Sequence, residues 1–215
     1  MDEAREAIGI LISGRGSNLQ ALIDAIDEGR LQARIAIVIS NRADAGGLDR
    51  ARSAGIETLV VDHRTFPNRD DFDRALATEL KSRHVSLVCL AGFMRLVGAP
   101  LLEAFPNAIL NVHPSLLPAF PGVDSQRQAL EHGVKVAGAS VHLVTAELDA
   151  GPIVLQTAVP VRDDDTPETL AARILIEEHR IYPEAVRIVL GGGWTIEGRR
   201  FVRVRDPYQT PGINR

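Results

Sequence analysis

Ile8-Gly9-Ile10-Leu11-Ile12 runs straight into Ser13-Gly14-Arg15-Gly16-Ser17-Asn18, and an amphipathic stretch follows to about Asp27. An apolar run, a glycine-rich turn and a helix-period stretch, in that order, describe a buried strand feeding a helix. The pattern recurs downstream. Ile35–Ser40, Glu57–Val61, Ser86–Ala91 and Ala108–Val112 are further strand candidates. Asp44–Ala54, Arg69–Arg83 and Leu96–Phe105, the last interrupted early by Pro100, are the helix candidates between them. Strands that are apolar throughout and alternate with amphipathic helices predict a mostly parallel sheet with helices on both faces. The crossovers should be right-handed.

The second half is patterned differently. Pro114, Pro118, Pro121 and Gly122 mark a loop, and a helix is expected over about Ser125–His132. Ala139–Val144 and Ile153–Val161 form a strand pair around Ala146-Glu147-Leu148-Asp149-Ala150-Gly151-Pro152. Thr166-Pro167-Glu168-Thr169 is a capped helix start, and that helix runs to about Leu190 before Gly191-Gly192-Gly193. Pro183 predicts a kink or break near Tyr182, since proline removes a main-chain donor. Thr195–Val204 has a hairpin pattern, and 206–215 reads as a loose tail. No repeat or linker divides the chain, so one domain over 1–215 is expected.

Composition narrows the function. The chain has 215 residues, 45% of them hydrophobic and 24% charged, which fits a globular protein and not a disordered one. A chain of this size buries roughly 70% of its extended surface, enough for one core. The 24 Lys and Arg do not exceed the 28 Asp and Glu, so nothing supplies the cationic surface a general nucleic-acid binder needs. Any anionic ligand must be held locally. Cys89 is the single cysteine and lies in an apolar run, where it reads as a small buried hydrophobe. No apolar run approaches the ~18 residues needed to span a bilayer, and the charged start does not resemble a secretory signal. A soluble cytoplasmic protein is expected, as a monomer or homodimer.

Three places carry chemistry. The loop Ser13–Asn18 opens a helix whose free N–H groups and dipole favour an anion such as phosphate. It lacks the third glycine of a dinucleotide fingerprint and the Gly-Lys-Ser/Thr of a Walker loop; by itself it reads equally well as a plain turn. Asn111 and His113 alternate with Val112, so both project to one face at the carboxyl end of a parallel strand, where open α/β sheets bind ligands. An amide and an imidazole there can both donate to a carbonyl oxygen that gains negative charge. Asp149 beside Gly151-Pro152 reads first as a turn former; brought near His113, its carboxylate would favour the protonated imidazole. His63, His84, His132, His142 and His179 show no zinc spacing, so no metal is expected. His84 and His132 read as surface helix residues. Asp163-Asp164-Asp165 reads as a solvated turn, and Glu178 as an exposed helix residue.

The loop SGRGSN, then ILNVHPSLLPAFPG, VHLVTAELDAGPIVLQ and EEHRIYP occur in that order, and from about Ile8 to Gly192 the chain resembles the phosphoribosylglycinamide formyltransferases. The resemblance implies a Rossmann-like formyltransferase fold with an antiparallel C-terminal part of the sheet. It divides the chain into a nucleotide-binding half over 8–113 and a catalytic and folate half over 114–193. It implies direct formyl transfer from 10-formyltetrahydrofolate, as co-substrate, to the amine of glycinamide ribonucleotide. Asn111, His113 and Asp149 would be catalytic. Gly16, Ser17, Asn18 and Glu178 would bind the ribonucleotide. Arg69, Met94, Arg95, Leu96, Val97, Asn111, Thr145 and Asp149 would bind folate. Both partners are small molecules; no nucleic acid or membrane is implied. The chain departs from the family after Phe120-Pro121-Gly122, where many relatives are His-rich and this one reads Val123-Asp124-Ser125-Gln126. Relatives that hydrolyse formyltetrahydrofolate usually carry an added N-terminal domain, and those that formylate aminoacyl-tRNA or sugar nucleotides an added C-terminal one.

Overall fold

The first strand, β1 (Glu6–Ile12), sets the two layers. Ile8, Ile10 and Ile12 face one core, and Leu11 faces the other, as the two-residue repeat of a strand requires. Gly9 has no side chain for a physical reason: a Cβ there would stand 2.3 Å from Leu80 Cδ2. The computed structural model describes residues 5–204; the tail expected over 206–215 lies outside the described residues.

Four further parallel strands complete the first half: β2 (Ala33–Ser40), β3 (Thr58–Val60), β4 (Leu87–Leu90) and β5 (Ile109–His113). Between them lie α1 (Ser17–Asp27), α2 (Gly47–Ser53), α3 (Arg69–Ser82) and α4 (Ala99–Ala104). The order 3-2-1-4-5 reverses at β1, so a crevice opens at the carboxyl ends of β1 and β4. Then come α5 (Ser125–Glu131), β6 (Val136–Leu143), β7 (Ile153–Pro160) and α6 (Pro167–Leu190). β6 pairs antiparallel with both β5 and β7. The hairpin β8 (Trp194–Glu197) and β9 (Arg200–Arg203) extends the same sheet, β9 lying beside β7, to give nine strands among the described residues. One face carries residues of α1, α2, α5 and α6; the other carries α3 and α4. The expected fold class is the observed one.

Several local expectations change. Pro100 does not interrupt α4 but starts it, occupying the first turn where a missing N–H costs nothing. Residues 94–98 therefore form an irregular segment and not a helix start. α6 runs 24 residues without a break at Pro183. The surrounding turns are buried on the sheet, and the Tyr182 hydroxyl donates to the carbonyls of Leu90 (3.0 Å) and Leu110 (3.3 Å), which anchors the helix at that point. Asp165 is not part of a solvated turn. Its side chain is 2% exposed and meets Arg173 through both guanidinium nitrogens, at 2.7 and 2.8 Å. Asp163 and Asp164 are the exposed members of that run.

Candidate active site

β5 carries Asn111 and His113 on the face opposite Leu110 and Val112, toward α3 and α4. β6 pairs Asn111 with His142 and His113 with Ser140. Partners in register share a face, so His142 stands beside Asn111, and its Nε2 lies 3.1 Å from Asn111 Nδ2. His142 Nδ1 lies 3.0 Å from the Leu143 carbonyl. A carbonyl only accepts, so Nδ1 carries the hydrogen and Nε2 accepts from the Asn111 amide.

Asp149 reaches back over this strand pair from the loop before β7. Its φ of 49° is left-handed, a conformation aspartate tolerates better than most residues. Oδ2 stands 3.4 Å from His113 Nδ1, and Oδ1 stands 3.6 Å from His142 Nε2. The Gly122 N–H donates to Oδ2 at 2.8 Å. Burial pushes the Asp149 carboxyl up. The N–H of Gly122 donating to it, with the His113 ring alongside, holds the carboxyl below the usual carboxylate range despite burial. The three residues singled out as catalytic are thus brought together, and His142 joins two of them. The sequence reading missed His142, although its signal was present. Ala139, Val141 and Leu143 alternate with Ser140 and His142, so pairing that strand with Asn111–His113 places the second imidazole on the same face.

Loop 114–122 closes over the site. The Phe120 carbonyl accepts from His113 Nε2 at 2.9 Å, and a left-handed φ of 53° at Phe120 turns it there. Ser140 Oγ fixes the base of the loop, donating to the Ser115 carbonyl (2.6 Å) and accepting from the Leu117 N–H (3.0 Å). Asp124 is exposed at the start of α5, and its side chain makes no capping bond.

A cavity of about 340 Å³ opens beside these groups. Arg69, Arg95, Leu96, Val97, Asn111, Thr145 and Asp149 line it, together with His142 and Phe93. Its charges are segregated, with Arg69 and Arg95 contributed by α3 and the segment before α4, and Asp149 and Glu147 by the loop before β7. Met94 does not line it; that side chain is 72% exposed.

The phosphate-type loop lies at the switch point. Gly16, with φ 73°, is the N-cap of α1, and no side chain caps the helix, which leaves first-turn N–H groups for an anion. A Cβ on Gly16 would stand 2.6 Å from Gly47 Cα. The loop is braced from α2: the Gly47 N–H donates to the Gly14 carbonyl (3.0 Å), and Arg50 Nε donates to the Arg15 carbonyl (2.9 Å). Asn18 Nδ2 donates to Glu178 Oε2 at 2.7 Å across α1 and α6. Glu178 is therefore buried, not exposed as its helix position suggested, and burial lifts its carboxyl above the usual range against the lowering effect of that bond. Ser17 lines a second cavity of about 310 Å³ with Arg50 and His179.

The formyl transferase profile matches residues 6–186. The chain belongs to the formyl transferase family. It is 44% identical over 192 residues to phosphoribosylglycinamide formyltransferase of Escherichia coli K12, covering 89% of this chain and 88% of that one. It is 47% identical over 191 residues to the human trifunctional purine biosynthetic protein adenosine-3, of which it spans 19%. Among solved structures, glycinamide ribonucleotide transformylase 1 from Symbiobacterium toebii superposes with a TM-score of 0.91 at 61% identity, covering 93% of this chain and 94% of that one. The Coxiella burnetii phosphoribosylglycinamide formyltransferase gives 0.88 at 42% identity, with the same coverage of each chain.

Two other features of this formyl transferase chain are structural. Cys89 is fully buried, and burial pushes its thiol up to about 12, too high for a thiolate nucleophile near neutrality. Among the described residues no group of three His, Cys, Asp or Glu side chains is placed to hold a metal ion, and no helix is long and apolar enough to cross a membrane.

Proposed function

We propose that this chain transfers the formyl group of 10-formyltetrahydrofolate to the primary amine of glycinamide ribonucleotide, releasing formylglycinamide ribonucleotide and tetrahydrofolate. The observation that carries the reading is the convergence of Asn111, His113 and Asp149 at one end of a cavity whose walls include two arginines. A folate has a flattened, hydrogen-bonding pterin ring and an anionic tail, which suits a cavity lined by both polar groups and two arginines. The names of the E. coli and S. toebii relatives, which match over most of their length, support the choice of amine.

A formamide is a poor acyl donor, so the barrier lies in forming a charged tetrahedral centre. The amine nitrogen bonds to the formyl carbon, and the carbonyl oxygen takes the negative charge. Asn111 has one amide hydrogen on His142 and a second free to meet that oxygen. His113 meets it through Nε2 when the Phe120 carbonyl gives way. Donors already aimed at a developing charge supply a few kcal/mol, roughly 3 each. Holding amine and carbon in contact supplies up to about 7–11 kcal/mol more. Asp149 faces His113 Nδ1 and takes the proton that the attacking amine loses, directly or through water. That proton passes to folate N10 as the carbon–nitrogen bond breaks. Loop 114–122 acts as the lid that keeps bulk water from the formyl carbon.

Gly16, Ser17 and Asn18 hold the ribonucleotide phosphate, and Glu178 contacts the same substrate. Arg69 meets the folate tail, with Arg95, Leu96, Val97 and Thr145 along the pocket and Met94 at its rim. The folate pocket draws Arg69 and Arg95 from one half of the sequence and Thr145 and Asp149 from the other, so the chain works as one catalytic unit.

The deciding experiment follows the absorbance of the tetrahydrofolate product with and without glycinamide ribonucleotide. Product is expected only with the amine. Equal product without it would make the protein a hydrolase, and none in either case would remove the assignment.

A further inference from the structure

The folate-side wall of the cavity contains a stretch that packing alone does not fix. Residues 94–98 join β4 to α4 without regular structure, and Met94 and Leu96 are 72% and 56% exposed. Two main-chain amides tie the stretch down. At its start the Met94 N–H donates to Ser13 Oγ at 2.8 Å. At its end the Gly98 N–H donates to Asp73 Oδ2 at 2.6 Å.

Both acceptors are themselves immobile. Ser13 is 6% exposed, and its hydroxyl donates to Asn41 Oδ1 at 2.6 Å, so its lone pairs are aimed at Met94. Asp73 is 1% exposed on α3, the helix that also carries Arg69. A Cβ at residue 98 would stand 2.8 Å from Asp73 Oδ2 and 3.1 Å from Arg69 Nε, so any side chain there would push on the acceptor of this amide. Among the described residues Asp73 Oδ1 has no hydrogen-bond partner. A carboxylate buried with one oxygen unpaired is costly, and Oδ2 is bonded to this stretch.

We propose that Ser13 and Asp73 are positioning residues for the folate wall, hanging residues 94–98 at the height the co-substrate requires. Ser13 sits in the phosphate-type loop by sequence, yet its side chain serves the other substrate. The claim rests on the cavity being the folate site, as proposed above.

The test is steady-state kinetics with each substrate varied at saturation of the other. S13A removes one pin and D73A the other. Each is expected to raise KM for 10-formyltetrahydrofolate about tenfold, the scale of one lost buried hydrogen bond, while KM for glycinamide ribonucleotide moves less than twofold. D73N keeps an acceptor oxygen for Gly98 and should return the folate KM to within about threefold of the parent value. A merely structural role would instead lower thermal stability and shift both KM values together. S13A with an unchanged folate KM, or with both KM values raised equally, overturns the proposal, and this holds even if D73A fails to fold. A wild-type chain with no transfer activity at all would remove the functional reading beneath it, which is a distinguishable result.

Discussion

His113 is held from both sides. Phe120 O faces one ring nitrogen and Asp149 Oδ2 the other, at 2.9 and 3.4 Å. The two contacts fix the direction of the ring, and in the proposed mechanism Nε2 becomes a donor to substrate once the Phe120 carbonyl gives way. H113A should lower kcat roughly 100- to 1,000-fold in a chain that still folds, because the residue belongs to neither core cluster. Loss below tenfold would remove His113 from the chemistry. Asp149 makes a different prediction. Its carboxyl titrates below the usual carboxylate range, so it is ionised throughout the neutral range. Activity that needs it should be full above about pH 4 and fall only as pH drops through the depressed value. D149N should cut kcat/KM at pH 7 and abolish that acid limb; a variant that retains the limb would show that another group produces it.

At the scale of elements, α6 shows how much a helix start depends on side chains. Thr166 and Thr169 form a reciprocal capping box, and Asp165 just before it accepts from the Arg162 N–H, Thr169 Oγ1 and the Arg173 fork. The Arg173 guanidinium is the main reason its carboxyl titrates far below the usual range. A group lowered on folding stabilises above its unfolded value, near 3.9, and loses that contribution as pH falls through its folded value. D165N should therefore melt below the parent at pH 7, with a gap that is constant down to about pH 4 and closes below it. A gap independent of pH would mean the charge is not what matters. The sequence shows the cap, since Thr-Pro-Glu-Thr is a local signal, but not the fork. Asp165 and Arg173 are eight residues apart, and only the turn into α6 makes them meet. Asp163-Asp164-Asp165 thus reads as uniform on the page and is not. The same limit hid His142, whose partner Asn111 lies 31 residues away on another strand, and the fit of Glu178 against Asn18, which spans 160. Periodicity reports what faces a core; it does not report which polar groups meet across it.

Across the whole molecule, the mostly parallel sheet with helices on both faces was legible from five apolar strands and the helices between them, whereas the strand order was not. The C-terminal hairpin was legible as a hairpin but not as an extension of the same sheet, since its link to β7 is the single pair Ile153 and Arg200. What welds the parallel and antiparallel halves together is α6. It packs on β6 and β7 of the antiparallel part, and Asn18 and Tyr182 tie it to the parallel part. The Tyr182 hydroxyl is buried between adjacent strands β4 and β5, its one hydrogen shared between a carbonyl on each, and burial raises its pKa well above the usual tyrosine value. Y182F keeps the ring and removes only the hydroxyl. It should cost about 1 kcal/mol, or roughly 3 °C in melting temperature for a chain this long. It should not change either KM, because Asn111 and His113 are held by β5 and β6 and not by the phenol. A melting temperature equal to the parent's would show that the ring alone fixes α6, and a raised KM would show that the fastening reaches the site.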